Sequence, residues 1–560
     1  RTGVEVEATP PQFGRRARSR IMNYDYIIVG AGSAGCILAN RLTESGRHSV
    51  LLLEAGGTDG SLRFKVPIGF LYTYYNSDCN WMYYSQPEAA LGGRTIYCPR
   101  GKVQGGSGSI NALIYVRGQS RDFSDWVASG AAGWSFGDVL PYYKKLESHP
   151  LGDTEYHSSA GPIHISPMRS AAHPICAAFL EGCASLGYPR NDDFNGASLE
   201  GAGIYDINTR SGLRDSSSYA YLVPALRRTQ LTVEHNAVAE KVLFDAHRRA
   251  IGVSFRQRGE LRDVRAAKEV ILSAGAVGTP QLLQLSGVAD RVLLEKHGIP
   301  VVRHAAAVGR NLQDHLCVSY FFKANRKTLN DDYGTWLGKL RVGLQYLLSR
   351  KGPLSLSVNQ AGGFFRGADG EPYPNIQLYF NPLSYAIPKG RVAALRPEPY
   401  SGFLLALSPC RPTSRGSIEI ASNRADDAPL IRPNYLSTPK DIADVIQGSR
   451  LVRRLMQARA LQAITIEEVK PGKRVTSDEE MLQYFREEAG SIYHLCGSCA
   501  MGSDPDASVV SNRLRVHGIE RLRIVDASVF PNVTSANINA PTMMVAEKAA
   551  AMIREDANAP

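Results

Sequence analysis

The sequence predicts an α/β protein that has a dinucleotide-binding domain and at least one further domain. Two observations support this prediction. Residues 23–57 hold two apolar runs on either side of a helical pattern, with a glycine-rich turn after the first run. The chain has 560 residues, which is more than one hydrophobic core organises.

The βαβ unit of residues 23–57 carries a specific nucleotide-binding pattern. Residues 26–29 and 49–53 are typical of buried strands, and residues 34–45 of a helix. Gly30, Gly32 and Gly35 form a GxGxxG turn that lets the backbone approach a pyrophosphate at the helix N-terminus. Glu54, after the second strand, can accept hydrogen bonds from a ribose. This unit alone leaves FAD and NAD equally open.

Composition excludes several classes of protein. The chain is 44% hydrophobic and 21% charged, and no apolar run is long enough for a membrane-spanning helix. The net charge of +11 is spread along the chain, so nucleic-acid binding is not expected. Nine scattered cysteines argue against a disulfide framework and favour a reducing, cytoplasmic location.

The first 22 residues differ from the rest of the chain. Four arginines cluster at Arg15, Arg16, Arg18 and Arg20, and there is no apolar segment of the kind found in secretory signals. A transit peptide is the alternative, but acidic residues and prolines argue against an amphipathic one. We predict that residues 1–22 are a flexible extension.

A second glycine-rich loop begins at Arg100. Four glycines, at positions 101, 105, 106 and 108, alternate with serines and lead into Asn111 and an apolar run at 112–116. A flexible linker would not lead directly into an apolar run. We therefore predict that this loop lies flat against the cofactor.

These two segments, together with residues 275–288 (GAVGTPQLLQLSGV) and 308–315 (VGRNLQDH), resemble the glucose-methanol-choline (GMC) oxidoreductases. The resemblance extends from Met22 to the C-terminus. It implies an FAD-dependent alcohol dehydrogenase or oxidase with a Rossmann-like FAD-binding domain. It also implies an α+β substrate domain with an antiparallel sheet and flanking helices. The FAD-binding domain is expected at 23–157, 209–316 and 491–560, and the substrate-binding domain at 158–208 and 317–490.

The predicted contacts with FAD combine both glycine-rich loops with positions that the resemblance supplies. They are Gly30, Gly32, Ser33, Ala34, Gly35, Glu54, Ala55, Arg100, Val103, Gly106, Ser107, Asn111, Ala112, Leu113, Val238, Asp526, Ala527, Asn539, Pro541 and Thr542. Three positions, Gln104, Gly108 and Ala289, depart from the family pattern. Where some relatives have a histidine linked to the flavin, this chain has Ile110, so the resemblance implies non-covalent FAD.

The resemblance also supplies the catalytic pair. Residues 494–502 (HLCGSCAMG) are similar to the family's H-x-x-G-T-C-x-M-G pattern, so His494 falls on the catalytic histidine and Asn539 on the second catalytic position. His494 is expected to act as general base while a hydride moves to flavin N5. Asn539 is expected to donate a hydrogen bond to the substrate oxygen. Cys496 and Cys499 lack a second ligand pair, so no metal site is predicted.

The alternative function is that of a fatty acid photodecarboxylase-like lyase, because Cys410 resembles a cysteine of that enzyme. His494 and Asn539 argue against it, since that enzyme lacks both groups. The substrate is expected to be a small-molecule alcohol, and the acceptor oxygen, a quinone or an artificial carrier. Four aromatic residues could edge its pocket: Tyr72, Tyr74, Tyr75 and Trp81.

Hydrophobic patterning predicts further elements in the rest of the chain. Strands are predicted at 231–234, 270–273, 377–380, 402–407, 416–421 and 522–526, and helices at 441–458, 478–488 and 543–553.

Overall fold

The computed structural model describes residues 23–386 and 396–558. The predicted extension at 1–22 lies outside the described residues. Two seven-stranded sheets dominate the architecture, and each has its own hydrophobic core. No helix among the described residues is long and apolar enough to cross a membrane.

The first sheet is mainly parallel and confirms the predicted βαβ unit. Its strands run in the spatial order Leu231–Glu234, Val50–Leu53, Asn23–Val29, Glu260–Leu272, Ala250–Gln257 and Ala237–Phe244, and Leu522–Ile524 also pairs with Glu260–Leu272. The first four strands and Leu522–Ile524 are parallel, whereas the last two are antiparallel. The strands Asn23–Val29 and Val50–Leu53 are buried on both faces over most of their length, as parallel strands require.

The second sheet is antiparallel throughout, as the resemblance implied. Its order is Thr465–Lys470, Leu316–Ala324, Gly402–Pro409, Ile376–Asn381, Ala361–Phe365 and Gly201–Ile204, and Gly490–Ser491 pairs with the start of Leu316–Ala324. Helices Cys176–Ser185, Pro439–Met456 and Asp478–Glu488 pack against it.

The remaining elements connect these layers. The other helices are Ser33–Thr43, Leu62–Lys65, Phe70–Thr73, Ser120–Ala128, Phe136–Leu146, Val223–Ala225, Gly275–Leu285, Arg291–Lys296, Leu329–Gly334, Trp336–Ser349, Arg459–Gln462 and Asn539–Asn558. Short strand pairs are Tyr83–Tyr84 with Tyr97–Cys98, Glu147–Ser148 with Ile163–His164, Ser166–Pro167 with Asp206–Ile207, Thr209–Arg210 with Leu213–Arg214, Val288–Ala289 with Arg303–His304, Tyr385–Ala386 with Arg396–Pro397, and Ser417–Glu419 with Leu430–Arg432.

The predicted strand at 416–421 does not join the antiparallel sheet. It forms a hairpin of its own, Ser417–Glu419 with Leu430–Arg432. Ile418 packs with Ala276 and Val277 of the helix Gly275–Leu285, and its backbone N–H donates to the Gly309 carbonyl at 2.7 Å. This hairpin therefore packs on the helix Gly275–Leu285, although its sequence position lies within 317–490, the segment predicted to form the substrate-binding domain.

Candidate active site

A cavity of about 930 Å³ lies between the two sheets. Val29 and Leu53, the last residues of two parallel strands, line one side of it. Tyr379, Asn381 and Ala406 of the antiparallel sheet line another. Ligands of open α/β sheets bind at the carboxyl ends of the strands, so the cavity lies where a dinucleotide is expected.

Most of the predicted FAD contacts line this cavity. They are Gly30, Gly32, Ser33, Ala34, Glu54, Ala55, Arg100, Gly106, Ser107, Asn111, Ala112, Leu113, Val238, Asp526, Ala527, Asn539 and Thr542. Three do not line it: Gly35, Val103 and Pro541. A Cβ on Gly35 would lie 1.9 Å from the Gly30 carbonyl oxygen, so this glycine permits close packing of helix on strand.

The two glycine-rich loops touch at a point that only glycine allows. Gly30 has φ +100°, and a Cβ there would lie 2.4 Å from the Ser273 carbonyl oxygen. Gly106 has φ +56°, and its Cβ would lie 2.8 Å from the Cα of Gly32. The helix Ser33–Thr43 begins here with no side-chain cap on its N-terminus. Its first backbone N–H groups are thus available to an anion.

Two charged side chains fit FAD in this cavity. Glu54 is buried, and its two carboxylate oxygens accept from the backbone N–H groups of Ala31 at 3.0 Å and Gly56 at 2.8 Å. Each oxygen keeps a further lone pair for a ribose hydroxyl. Arg100 donates from Nη1 to the Tyr493 carbonyl at 2.6 Å, while its buried Nε and Nη2 have no partner among the described residues. Buried donors of this kind need an acceptor, which a bound anionic cofactor supplies.

Asp526 lines the cavity, but its carboxylate already bonds to the protein. Its oxygens accept from the backbone N–H of Gly275 at 2.9 Å, the Thr279 hydroxyl at 2.6 Å and the backbone N–H of Ser528 at 2.8 Å. Asp526 therefore ties the start of the helix Gly275–Leu285 to the end of the strand Leu522–Ile524.

His494 is held in place through its backbone by Asp314. The backbone N–H of His494 donates to one Asp314 oxygen at 2.8 Å. The other oxygen accepts from the hydroxyls of Tyr435 at 2.6 Å and Ser491 at 2.5 Å. Asp314 belongs to the 308–315 motif, and this clamp gives that motif a structural role.

A chain of hydrogen bonds fixes the tautomer of His494. His315 Nε2 lies 2.8 Å from the Cys410 carbonyl oxygen, and because a carbonyl only accepts, Nε2 carries a hydrogen. His315 Nδ1 then accepts when the ring is neutral, and it lies 2.8 Å from Nδ1 of His494. His494 must donate from Nδ1, which leaves the lone pair of the His494 Nε2 available.

Burial keeps both rings neutral. Desolvation lowers the pKa of His315 to about 4, and it lowers the pKa of His494 well below its ordinary value. The Arg100 guanidinium lowers the pKa of His494 further by charge repulsion, and so does His315 whenever its own ring is protonated. The imidazole of His494 is thus an unprotonated acceptor at neutral pH.

Asn537, to which the sequence assigned no role, lies beside His494, and the predicted catalytic residue Asn539 also lines the cavity. Nδ2 of Asn537 lies 3.3 Å from Nε2 of His494, and both residues line the cavity. Asn539 starts the last helix, and its Oδ1 accepts from the Ser33 hydroxyl at 2.8 Å. The sequence contains Asn537 two residues before Asn539, but no pattern in it distinguished the roles of the two asparagines.

Three of the four aromatic residues predicted to edge the substrate pocket line the cavity. Tyr74, Tyr75 and Trp81 line the cavity, whereas Tyr72 is 67% exposed and does not. Ile110 lines the cavity and offers no nucleophile for a covalent flavin link. All nine cysteines are free thiols, and no cluster of metal-ligating side chains occurs in residues 23–386 and 396–558.

Comparisons with known proteins identify the family of the chain. Two GMC oxidoreductase family models match residues 24–317 and 412–546. The chain is 41% identical to an oxygen-dependent choline dehydrogenase of Vibrio vulnificus, over 95% of this chain and 94% of that protein. It is 42% identical to the mitochondrial choline dehydrogenase of Homo sapiens, over 95% of this chain and 90% of that protein. An alcohol dehydrogenase [acceptor] of Pseudomonas putida is 40% identical over 95% of both proteins.

Solved structures share the fold. Pyridoxine 4-oxidase from Mesorbium loti has a TM-score of 0.85 at 29% identity, over 95% of this chain and 99% of that one. Formate oxidase has a TM-score of 0.88 at 24% identity, over 96% of this chain and 99% of that one. The relatives do not support the photodecarboxylase-like alternative. The chain belongs to the GMC oxidoreductase family, and it is an FAD-dependent oxidoreductase that acts on the CH–OH group of alcohols.

Proposed function

We propose that Nε2 of His494 is the base that removes the hydroxyl proton of the substrate. The observation that carries the proposal is the hydrogen-bond chain from the Cys410 carbonyl through His315 to His494, which leaves that lone pair unprotonated. An imidazole with a lowered pKa is neutral and ready to accept a proton at pH 7. His315 acts through His494 and is a positioning residue.

Asn537, in place of Asn539, is the proposed second catalytic group. As the proton leaves, negative charge builds on the substrate oxygen. The Asn537 Nδ2, beside His494 Nε2 at 3.3 Å, can donate a hydrogen bond to that oxygen. FAD, when bound, supplies the two-electron acceptor that takes the hydride from the alcohol carbon. Asn539 is assigned to hold Ser33 at the start of the nucleotide-binding helix.

The cofactor is held without a covalent bond in this proposal. Glu54 binds the ribose, the backbone of the two glycine-rich loops approaches the pyrophosphate, and Arg100 pairs with an anionic or carbonyl group of the cofactor. The division into domains at 23–157, 209–316 and 491–560 against 158–208 and 317–490 stays a proposal. The two hydrophobic cores support it, with the hairpin of Ser417–Glu419 as the exception.

The proposed substrate is an uncharged alcohol. The antiparallel sheet lines the cavity with neutral side chains: Cys317, Ser319, Tyr379, Asn381, Leu404 and Ala406. A cation such as choline needs a carboxylate or an aromatic cage, and two carboxylates, Glu487 and Glu488, line the same cavity. Tyr74 and Tyr493, whose rings lie 5.1 Å apart edge to face, are the aromatic candidates for one. Choline is therefore the competing substrate, in keeping with the names of two relatives.

The electron acceptor and the cellular location belong to the same proposal. The name of the Vibrio vulnificus relative specifies oxygen, and the name of the Pseudomonas putida relative specifies only an acceptor. Oxygen and a quinone-type carrier are therefore the two candidates. Nine free thiols, eight of them buried, support a reducing compartment and hence a cytoplasmic location. Mixing reduced enzyme with oxygen or with a short-chain quinone, and following flavin reoxidation, assigns the acceptor.

The test of the base is anaerobic flavin reduction in the variant His494→Ala. A panel of neutral alcohols with choline first identifies a substrate of the wild-type enzyme by bleaching of its flavin spectrum. His494→Ala is then expected to lower the reduction rate on the order of 10²–10⁴-fold, the usual effect of losing a general base. FAD content should not change. His247→Ala, at an exposed histidine, is the control. A wild-type rate in His494→Ala would assign the base to another residue.

A further inference from the structure

The helix Trp336–Ser349 exposes an unusual amount of apolar surface. Its exposed fractions are Trp336 72%, Leu337 60%, Leu340 51%, Leu344 49%, Leu347 66% and Leu348 86%. Single exposed leucines are normal on protein surfaces, but six large apolar side chains on one short helix form a continuous patch. Such patches are typical of surfaces that bind another protein or a membrane.

These six side chains share one face of the helix. At roughly 100° per residue they fall within an arc of about 120°. Val342 and Tyr346 are the buried residues of the helix, and they lie on the opposite side. The apolar face therefore points away from the body of the protein.

Positive charge borders this face on both sides. Lys339 and Arg350 fall along one edge of the arc, and Arg341 falls along the other. Lys351 follows the helix, and residues 334–352 contain no acidic side chain. Arg341 pairs with Asp332, which lies before the helix. An apolar stripe with basic flanks is the pattern of a helix that lies in the interface of an anionic membrane.

The helix is fixed to the protein and capped at both ends. The Thr335 hydroxyl accepts from the backbone N–H of Gly338 at 3.1 Å, and Arg350 ends the helix with φ +56°. The Tyr346 hydroxyl donates to the Gly212 carbonyl at 2.9 Å. Val342 packs in a cluster with Phe70 and Val358, both of which also line the cavity. The exposed face thus belongs to a well-anchored element close to the active site.

We propose that the helix Trp336–Ser349 docks the enzyme onto the surface of an anionic phospholipid bilayer. The six apolar side chains would enter the boundary between headgroups and acyl chains, and Lys339, Arg350 and Lys351 would contact the lipid phosphates. A second copy of the chain fits this face less well. A symmetric contact would bring the basic edges of two copies together, and like charges in an interface are repulsive.

Flotation of the purified holoenzyme with lipid vesicles tests the proposal. The vesicles are pure phosphatidylcholine, or phosphatidylcholine with 30 mol% phosphatidylglycerol. Wild-type enzyme should float with the anionic vesicles, and the double variant Leu344→Gln, Leu347→Gln should bind them at least tenfold more weakly. The matched control, Leu261→Gln with Val292→Gln, removes two equally exposed apolar side chains elsewhere and should bind as the wild type does.

A second variant tests the charges. Lys339→Gln with Lys351→Gln should weaken binding to the anionic vesicles roughly 30-fold, since two basic residues at about 1 kcal/mol each contribute about 2 kcal/mol together. Binding to pure phosphatidylcholine should not change. Flavin reduction by a soluble alcohol should stay at the wild-type rate in all of these variants, so this test is independent of the catalytic proposal.

Three results would overturn the proposal. Wild-type enzyme that floats with neither vesicle refutes it, as does equal flotation of the wild type and the Leu344→Gln, Leu347→Gln variant. A dimer in light scattering that the same leucine substitutions convert to a monomer, without vesicle binding, would assign the face to a second copy of the chain.

Discussion

The replacement of Asn537 and of Asn539 by alanine, one at a time, distinguishes two neighbouring residues of the same type. Asn537 donates toward Nε2 of His494, whereas Asn539 accepts from the Ser33 hydroxyl. If Asn537 stabilises the charge on the substrate oxygen, Asn537→Ala should lower the rate of anaerobic flavin reduction on the order of 10²–10³-fold, the cost of one lost oxyanion donor. The fold should tolerate this change, because Oδ1 of Asn537 is buried without a partner among the described residues.

Asn539→Ala is the matched control, and FAD affinity is the quantity that should change in it. The lost bond to Ser33 contributes about 0.5–1.5 kcal/mol. Because Ser33 is the first residue of the nucleotide-binding helix, FAD should dissociate roughly two- to tenfold more readily. Flavin reduction in FAD-saturated enzyme should stay within about threefold of the wild type.

Stopped-flow reduction and FAD titration, applied to both variants, separate the two roles. The reasoning is refuted if Asn539→Ala lowers the rate of flavin reduction and Asn537→Ala changes only FAD affinity. Equal loss of rate in both variants would mean that the two amides act together on the substrate.

The remaining predictions concern His315, His494 and the cofactor. His315→Phe removes the acceptor of the Nδ1 hydrogen of His494, so we expect flavin reduction to slow about 10–100-fold and the ¹⁵N resonances of His494 to report a shift of its proton to Nε2; unchanged resonances would contradict the assigned tautomer. Because burial lowers the pKa of His494 well below its ordinary value of about 6.5, proton uptake removes the base only in more acid solution, so the wild-type reduction rate should already be flat at pH 6.5 and above; a rate still rising above pH 8 would be incompatible with this base. Glu54→Ala should weaken FAD binding through the loss of charge-assisted bonds on the order of 1.5–3 kcal/mol each, measured by FAD titration, and unchanged affinity would show that Glu54 does not bind the ribose. Acid precipitation should leave the flavin in the supernatant because Ile110 offers no nucleophile, and a yellow pellet would reveal a covalent link elsewhere.

Local patterns were enough to predict most of the fold. The βαβ unit, the strands Ile376–Asn381 and Gly402–Pro409 and the helix Asp478–Glu488 all lie where hydrophobic spacing placed them. These elements are specified by nearby residues, through periodicity and turn chemistry. The strand Ser417–Glu419 was also predicted. Its neighbour in space is the helix Gly275–Leu285, and the spacing of residues within the strand does not encode that contact.

The site was harder to predict for the same reason. His494 was identified by its motif, but its partner His315 is 179 positions away in the sequence. In the sequence, His315 was the last residue of the 308–315 motif and had no assigned role. Asn537 and Asn539 are two residues apart, and only the start of the last helix at Asn539 separates their directions. The sequence thus identified the chemical groups, whereas the folded chain decides which of them meet.

The hydrogen bond from His315 to the Cys410 carbonyl links the tautomer of His494 to the pairing of two strands. Cys410 directly follows the strand Gly402–Pro409, and His315 directly precedes Leu316–Ala324, its antiparallel neighbour in the same sheet. The protonation pattern of the base therefore depends on how these two strands pair. A displacement of about 1 Å between them would break the 2.8 Å bond from His315 to that carbonyl and release the imidazole proton to either nitrogen. Correct pairing of the two strands is in this way a condition for proton abstraction, so a chain that binds its cofactor with these strands displaced would remain inactive toward alcohols.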